Sequence, residues 1–494
     1  MTEARRTGPA LLPDPRKVVA RLFLPGQEAT TPGPSRASGI VERCMALDED
    51  EVRAAVERMD TEYAGRHRDL PGRLEANFAA VAHRVPDAED LSPERRRLIG
   101  AYFTQEYAIE TAALCNPSVV PHPDQDGPDG ALRFVMSARA VGEGHISSIV
   151  FRSGTLSAGG EVEMDPLSPY VDAGAITAGD IDRERLAREA CDAGADPETM
   201  DFVLASLPER FPRAVLDSAL EDLHSVRTTL MHAEHTAACL RLAADGIYEV
   251  DYGVGTDLSE RTLMPATAVE SNGMEDARFV RFTEDDGTTS YLATYTGFDG
   301  SRITSRRLDT QDFTRFDACS LTGAAAVNKG MALFPRRVGG RYFALSRWDR
   351  ENNTLASSAD GFHWDEVQPL QVPRQPWELV QLGNCGSPIE TDEGWLVLTH
   401  GVGPMRGYSL GVLLLDLDDP SRVLGRLRDP LLTPAPDERD GYVPNVVYSC
   451  GGLTHGGHLL VPYGCSDATI RLAVLDLAGL LERLTGPDRE APAP

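Results

Sequence analysis

Residues 393–403, EGWLVLTHGVG, follow a pattern that recurs along the chain and decides its fold. A Gly-containing turn, or an acidic residue followed by Gly, precedes a strand that contains a pair of Leu or aromatic residues. Polar residues follow the strand. Four further segments share this pattern: GALRFVMSARA (130–140), GTTSYLATYTG (287–297), GGRYFALSRWD (339–349) and GGHLLVPYGCSD (456–467). The last four of the five recur about every 50 to 65 residues, a period typical of propeller blades.

The gap between the first two segments is longer because it contains a helical pattern at about residues 177–245. Subtracting this insertion restores a blade-like gap. We therefore predict an all-β core, a five-bladed β-propeller over residues 115–485, with the helical insertion after the first blade. Short strands at this spacing would also suit a β-sandwich.

The chain before residue 115 has a different composition. Residues 1–38 are rich in Pro, Gly, Thr and Arg, and we predict that they are irregular. Residues 39–114 show apolar residues at helical spacing and predict a helical extension. An Asp cap opens DEDEVRAAVERM (48–59), and Ser92 caps a later helix with Pro93 at its first position.

Composition excludes several classes of protein. The 494 residues include 48 basic and 76 acidic side chains, a net charge of -28 that argues against a nucleic-acid partner. The apolar runs are only strand-length, which argues against a membrane partner. The start lacks a secretory pattern, and the eight Cys contain no CxxC pair. We expect a cytoplasmic location.

Lysine is almost absent from the chain, with Lys17 and Lys329 the only two. A compact ammonium contacts a small anion as a point charge, unlike the planar fork of Arg, so Lys329 is a candidate anion ligand. Survival of one Lys in an Arg-rich chain is the plain alternative. His400, at the end of a predicted strand, is either a second anion ligand or a buried core residue.

Other patterns give weaker signals. Glu275, Asp276 and Arg278 precede the strand FVRF, where the acids form either a structural ion pair or a general acid. His232 and His235 lack a third nearby ligand, so no metal site is predicted.

Several motifs together resemble one known family, glycoside hydrolase family 130, the mannoside phosphorylases and related hydrolases. They are NPS (116–118), GMEDARF (273–279), NKGMALFP (328–335), LSR (345–347), GNCGSPIETDEGWLVLTHGV (383–402), LLLDLDDPSRVLGR (413–426), GYVPNVVYSCG (441–451) and VPYGCSDA (461–468). The resemblance spans about residues 115–475. It covers neither the N-terminal helices nor the insertion, which indicates a long-chain branch of the family.

The resemblance implies a five-bladed propeller that cleaves β-mannosides with phosphate and inversion, giving α-mannose 1-phosphate. It implies that Asp276 is the acid catalyst, with Ala277 in place of the family's Pro. The implied phosphate ligands are Arg139, Lys329, Arg347, His400 and Tyr408. The implied sugar contacts are Asn116, Arg278, Asn384 and Asp467. No cofactor is implied, since inorganic phosphate is a co-substrate.

Two other functions stay open on the sequence. An inverting β-mannoside hydrolase would need a second carboxylate about 6.5–9.5 Å from the acid, for which Glu143 and Glu260 are candidates. A non-catalytic glycan-binding propeller would lack a carboxylate facing the sugar. The expected partners are a β-mannoside oligosaccharide and phosphate, and the exposed amphipathic helices favour a homo-oligomer.

Overall fold

The computed structural model describes residues 4–26, 35–226 and 232–486, which divide into two compact units. The helical unit comprises Asp14–Thr111 and Ser168–Asp172. The sheet unit comprises the rest of the described chain. Within these described residues, no helix combines the length and the hydropathy that a membrane span requires.

The first 38 residues contain two strands, so the prediction that they are irregular was wrong. Strand β1 (Arg5–Leu11) pairs antiparallel with Thr469–Asp476, and β2 (Val18–Leu22) pairs antiparallel with Thr104–Ala108. Both strands take their hydrogen bonds from partners distant in the sequence, so local composition carries no sign of them. Residues 27–34 of this segment lie outside the described residues.

Four helices make up most of the helical unit. They are α1 (Arg36–Met45), α2 (Glu49–Tyr63), α3 (Leu70–Val81) and α4 (Pro93–Tyr102). The predicted caps are present, because the side chains of Asp48 and Ser92 accept hydrogen bonds from the backbone N–H groups of Glu51 and Arg95. Val52 and Val56 of α2 pack with Leu98 of α4.

The last predicted helix is shorter than expected. It ends at Tyr102, and residues Thr104–Ala108 form strand β3, the partner of β2. The prediction of helix up to residue 114 was therefore wrong after Tyr102. Pairing with β2 satisfies the backbone of this segment, and tertiary context of this kind overrides a local helical pattern.

The sheet unit is built mainly around antiparallel strands, with loops and helices between them. Before the insertion lie β4 (Ala113–Pro121), β5 (Leu132–Val141), β6 (Ser147–Leu156) and β7 (Val162–Met164). The inserted elements are β8 (Ala175–Ala178), β9 (Ile181–Asp182), α5 (Arg183–Asp192), α6 (Pro197–Leu204), β10 (Arg210–Phe211), α7 (Arg213–Val226), α8 (Ala233–Asp245) and β11 (Tyr248–Asp251). The helices α5 to α8 share an apolar core that includes Leu186, Leu220 and Leu240.

The remaining strands continue the pattern to the end of the unit. The group that follows the insertion is β12 (Thr262–Leu263), β13 (Gly273–Thr283), β14 (Thr289–Phe298), β15 (Ile303–Thr310) and β16 (Arg315–Ser320). Next come β17 (Ala332–Leu333), β18 (Tyr342–Ser346), β19 (Asn353–Ser358) and β20 (Glu366–Gln371). Then follow β21 (Gln381–Asn384), β22 (Ile389–Thr391), β23 (Gly394–Val402), β24 (Tyr408–Leu415) and β25 (Val423–Arg426). The last are β26 (Val447–Tyr448), β27 (Leu453–His455), β28 (His458–Cys465), β29 (Thr469–Asp476) and helix α9 (Leu477–Thr485).

The recurring sequence segments occupy equivalent places in these sheets. They form β5, β14, β18, β23 and β28, and each of these strands has an antiparallel neighbour on both sides. The predicted all-β core is confirmed. One parallel pair, Gly273 with Ser147, joins β13 to β6 and so links the first two strand groups into a single sheet.

Two irregular points in these sheets position the chemistry. The pairing of β4 with β5 shifts register around Asn116, and that of β13 with β14 shifts around Asp276. Both residues have a positive φ, 51° and 56°, a conformation that Asn and Asp adopt more readily than most residues. Bulges of this kind re-aim side chains, and here they bring the two residues together.

Candidate active site

A cavity of about 610 Å3 opens in the sheet unit beside these two bulges. Its walls are Asn116, Arg139, Asp276, Phe298, Ser301, Ile303, Asn328, Lys329, Arg347, Arg350, Gln381, Arg406, Tyr408, Val443, Val446, Tyr448 and Asp467. The lining residues come from the strand groups around all five recurring strands. The volume is typical of a small-molecule site, and the basic and acidic lining suits a polar ligand.

Asp276 is the buried carboxylate at one wall of the cavity. Its Oδ1 accepts a hydrogen bond of 2.5 Å from Nδ2 of Asn116, and Nη1 of Arg139 lies 3.8 Å from the same oxygen. Burial favours the neutral carboxyl, but the charges of Arg139 and Lys329 outweigh it. The pKa of Asp276 therefore lies below its usual value.

Glu275 links two of the basic residues in the cavity wall. Its Oε1 accepts a hydrogen bond of 2.7 Å from Nη2 of Arg139, and its Oε2 pairs with Nζ of Lys329. Glu275 is buried, whereas Lys329 is about one third exposed. The two cations thus share one carboxylate and remain at the cavity surface.

Arg347 is less constrained than these two cations. Its Nε is buried without a hydrogen-bond partner among the described residues, and the side chain lines the cavity. The side chain passes over two glycines. A Cβ at Gly383 would lie 2.2 Å from Cδ of Arg347, and one at Gly330 would lie 3.1 Å from it. The absence of a side chain at Gly383 is therefore required for this position of Arg347.

His400 lies behind the cavity wall and is not one of its lining residues. Its ring is stacked on Tyr408 at 6.0 Å and meets Tyr448 edge-on at 4.8 Å. Neither ring nitrogen has a hydrogen-bond partner in the described part of the chain. Burial, with the charge of Arg347, lowers the pKa of His400 well below its usual value, so the ring is neutral.

Arg278 and Asn384 also lie outside the cavity lining and connect its strands. Nη1 of Arg278 donates to the backbone oxygens of Asn384 and Cys385, and its Nη2 donates to the Tyr448 hydroxyl at 2.8 Å. Asn384 Nδ2 donates to the Gly330 oxygen at 2.8 Å. These contacts hold β13, β21 and β26 together beneath the site.

Asp467 is the second carboxylate in the cavity wall. It follows β28 and has a φ of 47°, and the preceding Ser466 has a φ of 49°. Ser466 is fixed by two hydrogen bonds of 2.7 Å, one from its N–H to the Val446 oxygen and one from its hydroxyl to the Glu438 oxygen. Burial and the negative charge of Asp276 raise the pKa of Asp467 to about 6.

The structure brings together seven of the ten residues singled out in the sequence. The seven that line the cavity are Asn116, Arg139, Asp276, Lys329, Arg347, Tyr408 and Asp467, and the three that lie behind it are Arg278, Asn384 and His400. Glu143 is exposed in a turn and Glu260 is fully buried, and neither lines the cavity. The second carboxylate there is Asp467.

Sequence reasoning missed Glu275 and several residues of the cavity lining. Glu275 was noted only as a neighbour of Asp276, and its two basic partners lie 136 and 54 residues away. Tyr448, Arg350 and Arg406 also line the cavity. The positive φ angles of Arg350 and Arg406, 69° and 57°, show only in the structure.

The arrangement sets two carboxylates of opposite pKa shift beside a cluster of cations. Pairs of this kind mark acid–base sites, because their environments separate the pKa values of the two carboxyl groups. The cations can position an anionic reactant and stabilise charge that develops during a reaction.

Comparison with known proteins gives consistent matches. Residues 241–485 match the model of glycoside hydrolase family 130, described as "beta-1,4-mannooligosaccharide phosphorylase". A 1,2-beta-oligomannan phosphorylase of Thermoanaerobacter sp. is 33% identical over 251 residues, which cover 47% of this chain and 79% of that protein. A beta-1,2-mannobiose phosphorylase of Listeria innocua is 28% identical over 234 residues, 45% of this chain and 63% of that protein.

A solved structure of a Listeria innocua beta-1,2-mannobiose phosphorylase, in complex with beta-1,2-mannobiose, is also similar. It aligns with a TM-score of 0.44 and 20% identity over 76% of this chain and 93% of that chain.

Proposed function

Since the chain belongs to glycoside hydrolase family 130, we propose that it is an inverting β-mannoside phosphorylase. Phosphate attacks the anomeric carbon of a β-mannosyl unit while the bond from that carbon to the leaving oxygen breaks. The products are α-mannose 1-phosphate and the released sugar. In the net reaction hydrogen phosphate loses its proton and the leaving oxygen gains one.

The observation that carries this proposal is the group of three basic side chains in one cavity with a buried carboxylate. Arg139, Lys329 and Arg347 line the same cavity as Asp276. A phosphate needs cations to position it and to offset its charge, and it needs no carboxylate base because it is already an anion. Water carries no charge for cations to offset, and it needs a carboxylate base instead.

Asp276 supplies the proton to the leaving oxygen, relayed through a sugar hydroxyl as the family resemblance implies. In the free protein its pKa lies below the usual value, so the carboxyl is ionised at neutral pH. Phosphate in contact with Arg139 and Lys329 would offset the charges that lower this pKa. The carboxyl can then hold the proton it transfers.

Each of the remaining site residues takes a role in this proposal. Tyr408 contributes a hydroxyl to the phosphate site, with His400 as a neutral support behind it. Asn116 and Asp467 contact the mannosyl unit, and Arg278 and Asn384 hold the strands that carry the site. His400, Arg278 and Asn384 have supporting roles and not direct ligand contacts, because their side chains are buried behind the lining.

An inverting hydrolase is the second candidate, and Asp467 is the observation that favours it. This carboxylate lines the cavity with Asp276, and with a pKa of about 6 it is ionised at neutral pH, as a base that activates water must be. A non-catalytic glycan-binding protein loses support, because two carboxylates face the cavity and the family consists of enzymes.

We also propose that the sheet unit is a five-bladed propeller, with one blade around each of β5, β14, β18, β23 and β28. The equivalent central position of these strands supports this arrangement. The domain limits at residues 38, 114 and 485, the insertion at about 177–245, a cytoplasmic location and a homo-oligomeric state stay predictions.

Incubation with β-1,2- and β-1,4-mannobiose, with and without phosphate, tests the function. We expect α-mannose 1-phosphate and mannose only when phosphate is present. Equal release of mannose without phosphate would favour the hydrolase. The Asp276→Asn variant should lose activity by at least about a thousandfold while its unfolding midpoint stays close to that of the wild type.

A further inference from the structure

Two basic residues of the cavity have no role in the reaction proposed above. Five basic side chains line the cavity, and Arg139, Lys329 and Arg347 are the three assigned to phosphate. Arg350 and Arg406 remain. These two are exposed, whereas the other three are half-buried. The two exposed arginines therefore lie closer to solvent than the three half-buried cations assigned to phosphate.

Both arginines sit on short, well-fixed turns. The turn at Arg350 is held by the hydrogen bond from its own N–H to the Arg347 oxygen (3.0 Å) and by Asp349, whose Oδ1 accepts from the Glu351 N–H at 3.0 Å. The turn at Arg406 is closed by the bond from the Gly403 N–H to the Gly407 oxygen at 2.9 Å. Positive φ angles at both arginines place strained backbone here, a feature that concentrates at functional sites.

Neither guanidinium has an ion-pair partner within the described ranges of the chain. This is notable in a protein with 76 acidic side chains and a net charge of -28. Other arginines of the sheet unit form ion pairs, as Arg336 does with Glu390. Arg406 and Asp467 share the cavity without such a contact, although the charge of Arg406 acts to lower the pKa of Asp467.

The count of charged side chains at the cavity is more positive than a bound phosphate would offset. When Asp276 carries the proton, the other carboxylates at the cavity are Glu275 and Asp467, against five basic side chains. The excess is three positive charges, of which a phosphate dianion offsets two. One positive charge then remains in this count, and Arg350 and Arg406 are the two lining cations that have no assigned role.

We propose that Arg350 and Arg406 bind an anionic group on the leaving sugar, and that this group is the carboxylate of a uronic acid. The inference rests on the proposed function and names its substrate class, a β-mannosyl uronic acid. Guanidinium groups bind carboxylates through paired, charge-assisted hydrogen bonds. A phosphate ester on the leaving sugar has the same kind of anionic oxygen but carries a second negative charge, which the site does not need.

The reverse reaction tests this directly, with α-mannose 1-phosphate as donor and matched acceptors. The acceptors are glucose, glucuronate and glucose 6-phosphate, followed by mannose and mannuronate. We expect kcat/KM for each uronate to exceed that for its neutral parent by roughly tenfold or more. The Arg350→Ala/Arg406→Ala double variant should bring this ratio close to one. Arg315→Ala, an exposed arginine paired with Glu249 on an outer strand, is the matched control and should keep the wild-type ratio.

Each outcome decides the proposal. Equal use of glucose and glucuronate by the wild type overturns the inference and leaves the proposed function intact. A ratio that persists in the double variant also overturns it. Preference for glucose 6-phosphate over glucuronate overturns the uronic-acid assignment. Transfer to none of the acceptors overturns the proposed function, and the inference with it.

Discussion

Glu275 holds the two cations that the proposed reaction needs for phosphate. Its carboxylate lies between Arg139 and Lys329, so phosphate has to compete with it for their charge. The same carboxylate reduces the positive field at Asp276, whose pKa depends on those cations. One buried acid thus adjusts both anion binding and proton transfer.

Replacing Glu275 by Gln should separate these two effects. We expect the KM for phosphate to fall several-fold because Arg139 and Lys329 lose a competing anion. We expect kcat to fall because the pKa of Asp276 moves still lower, further from the value a proton donor needs. Initial rates over a range of phosphate concentrations measure both. Glu390→Gln, at an exposed ion pair with Arg336, is the control, and a higher KM in Glu275→Gln would contradict the argument.

The raised pKa of Asp467 predicts that the ionised carboxylate lowers the stability of the folded protein. Its pKa of about 6 in the folded protein exceeds the ordinary 3.8, so above pH 6 the folded state bears the cost of an ionised buried carboxyl. This cost is relieved as the pH falls from 6 towards 3.8. Asp467→Asn should therefore raise the free energy of unfolding at pH 7.5 by up to about 3 kcal/mol.

Urea titrations at pH 7.5 and pH 4.5 provide the measurement, and the gain should be much smaller at the lower pH. Asp360 is the control of opposite sign. Burial acts to raise its pKa, but hydrogen bonds from the His363 and Phe362 N–H groups and from Arg188 outweigh it and lower the pKa to about 2. Asp360→Asn should destabilise the protein at pH 7.5. A pH-independent gain in Asp467→Asn would refute the assignment.

At the scale of single residues, the sequence motifs identified most of the predicted residues that line the cavity. Burial separates them from the predicted residues that lie behind the lining. Asp276, Lys329 and Arg347 were found from sequence because each lies in a motif that resembles the family. The sequence allows two interpretations of His400, an anion ligand or a buried core residue, and the structure shows its ring buried against Tyr408 and Tyr448 behind the cavity lining. No sequence pattern carries such information, because it depends on strands distant in the chain.

Among the elements, β21 controls the position of a cation on a neighbouring strand group. Gly383 of β21 lies against the side chain of Arg347, which follows β18. A methyl group there would displace Arg347 because Cδ occupies the space. Gly383→Ala should raise the KM for phosphate about tenfold with a small change in the unfolding midpoint.

Phosphate-dependent rates and thermal unfolding together test this variant. Gly65→Ala is the control, because a Cβ there meets no atom within 4 Å and the backbone is already helical. An unchanged phosphate KM in Gly383→Ala would show that Arg347 does not bind phosphate.

Strands with internal apolar patterns were predictable, and strands defined by their partners were not. The five recurring segments have their own pairs of large apolar residues, and each became a central strand. In contrast, β1 is largely exposed, and the sequence of β3 continues the helical spacing of apolar residues from the preceding helix. Their strand conformation comes from pairing with β29 and β2, which local sequence does not specify.

On the scale of the whole molecule, β1 completes a sheet made by the end of the chain. It lies beside β29, and Arg6 forms an ion pair of 2.9 Å with the buried Glu438. Tyr463 donates a further hydrogen bond of 2.7 Å to that carboxylate. Without β1, the edge of β29 is unpaired and Glu438 loses a charge partner.

Deletion of residues 2–11 should therefore lower the free energy of unfolding by at least about 2 kcal/mol. It should also promote self-association through the exposed edge of β29. Denaturation and sedimentation measurements check the two effects. Arg6→Met is the matched variant, since it removes the ion pair and keeps the strand. It should be destabilised without self-association, and a monomeric deletion variant would contradict the edge argument.

The pairing of β1 with β29 also sets an order for the synthesis of this protein on the ribosome. Arg5 lies opposite Val474, so the partner of the first strand is translated roughly 25 to 90 seconds after it at ordinary elongation rates. Throughout that interval the nascent chain carries a strand with nothing to pair with. A translation product that stops before Thr469 can never complete this sheet, and quality-control proteases would meet it as an unfinished protein.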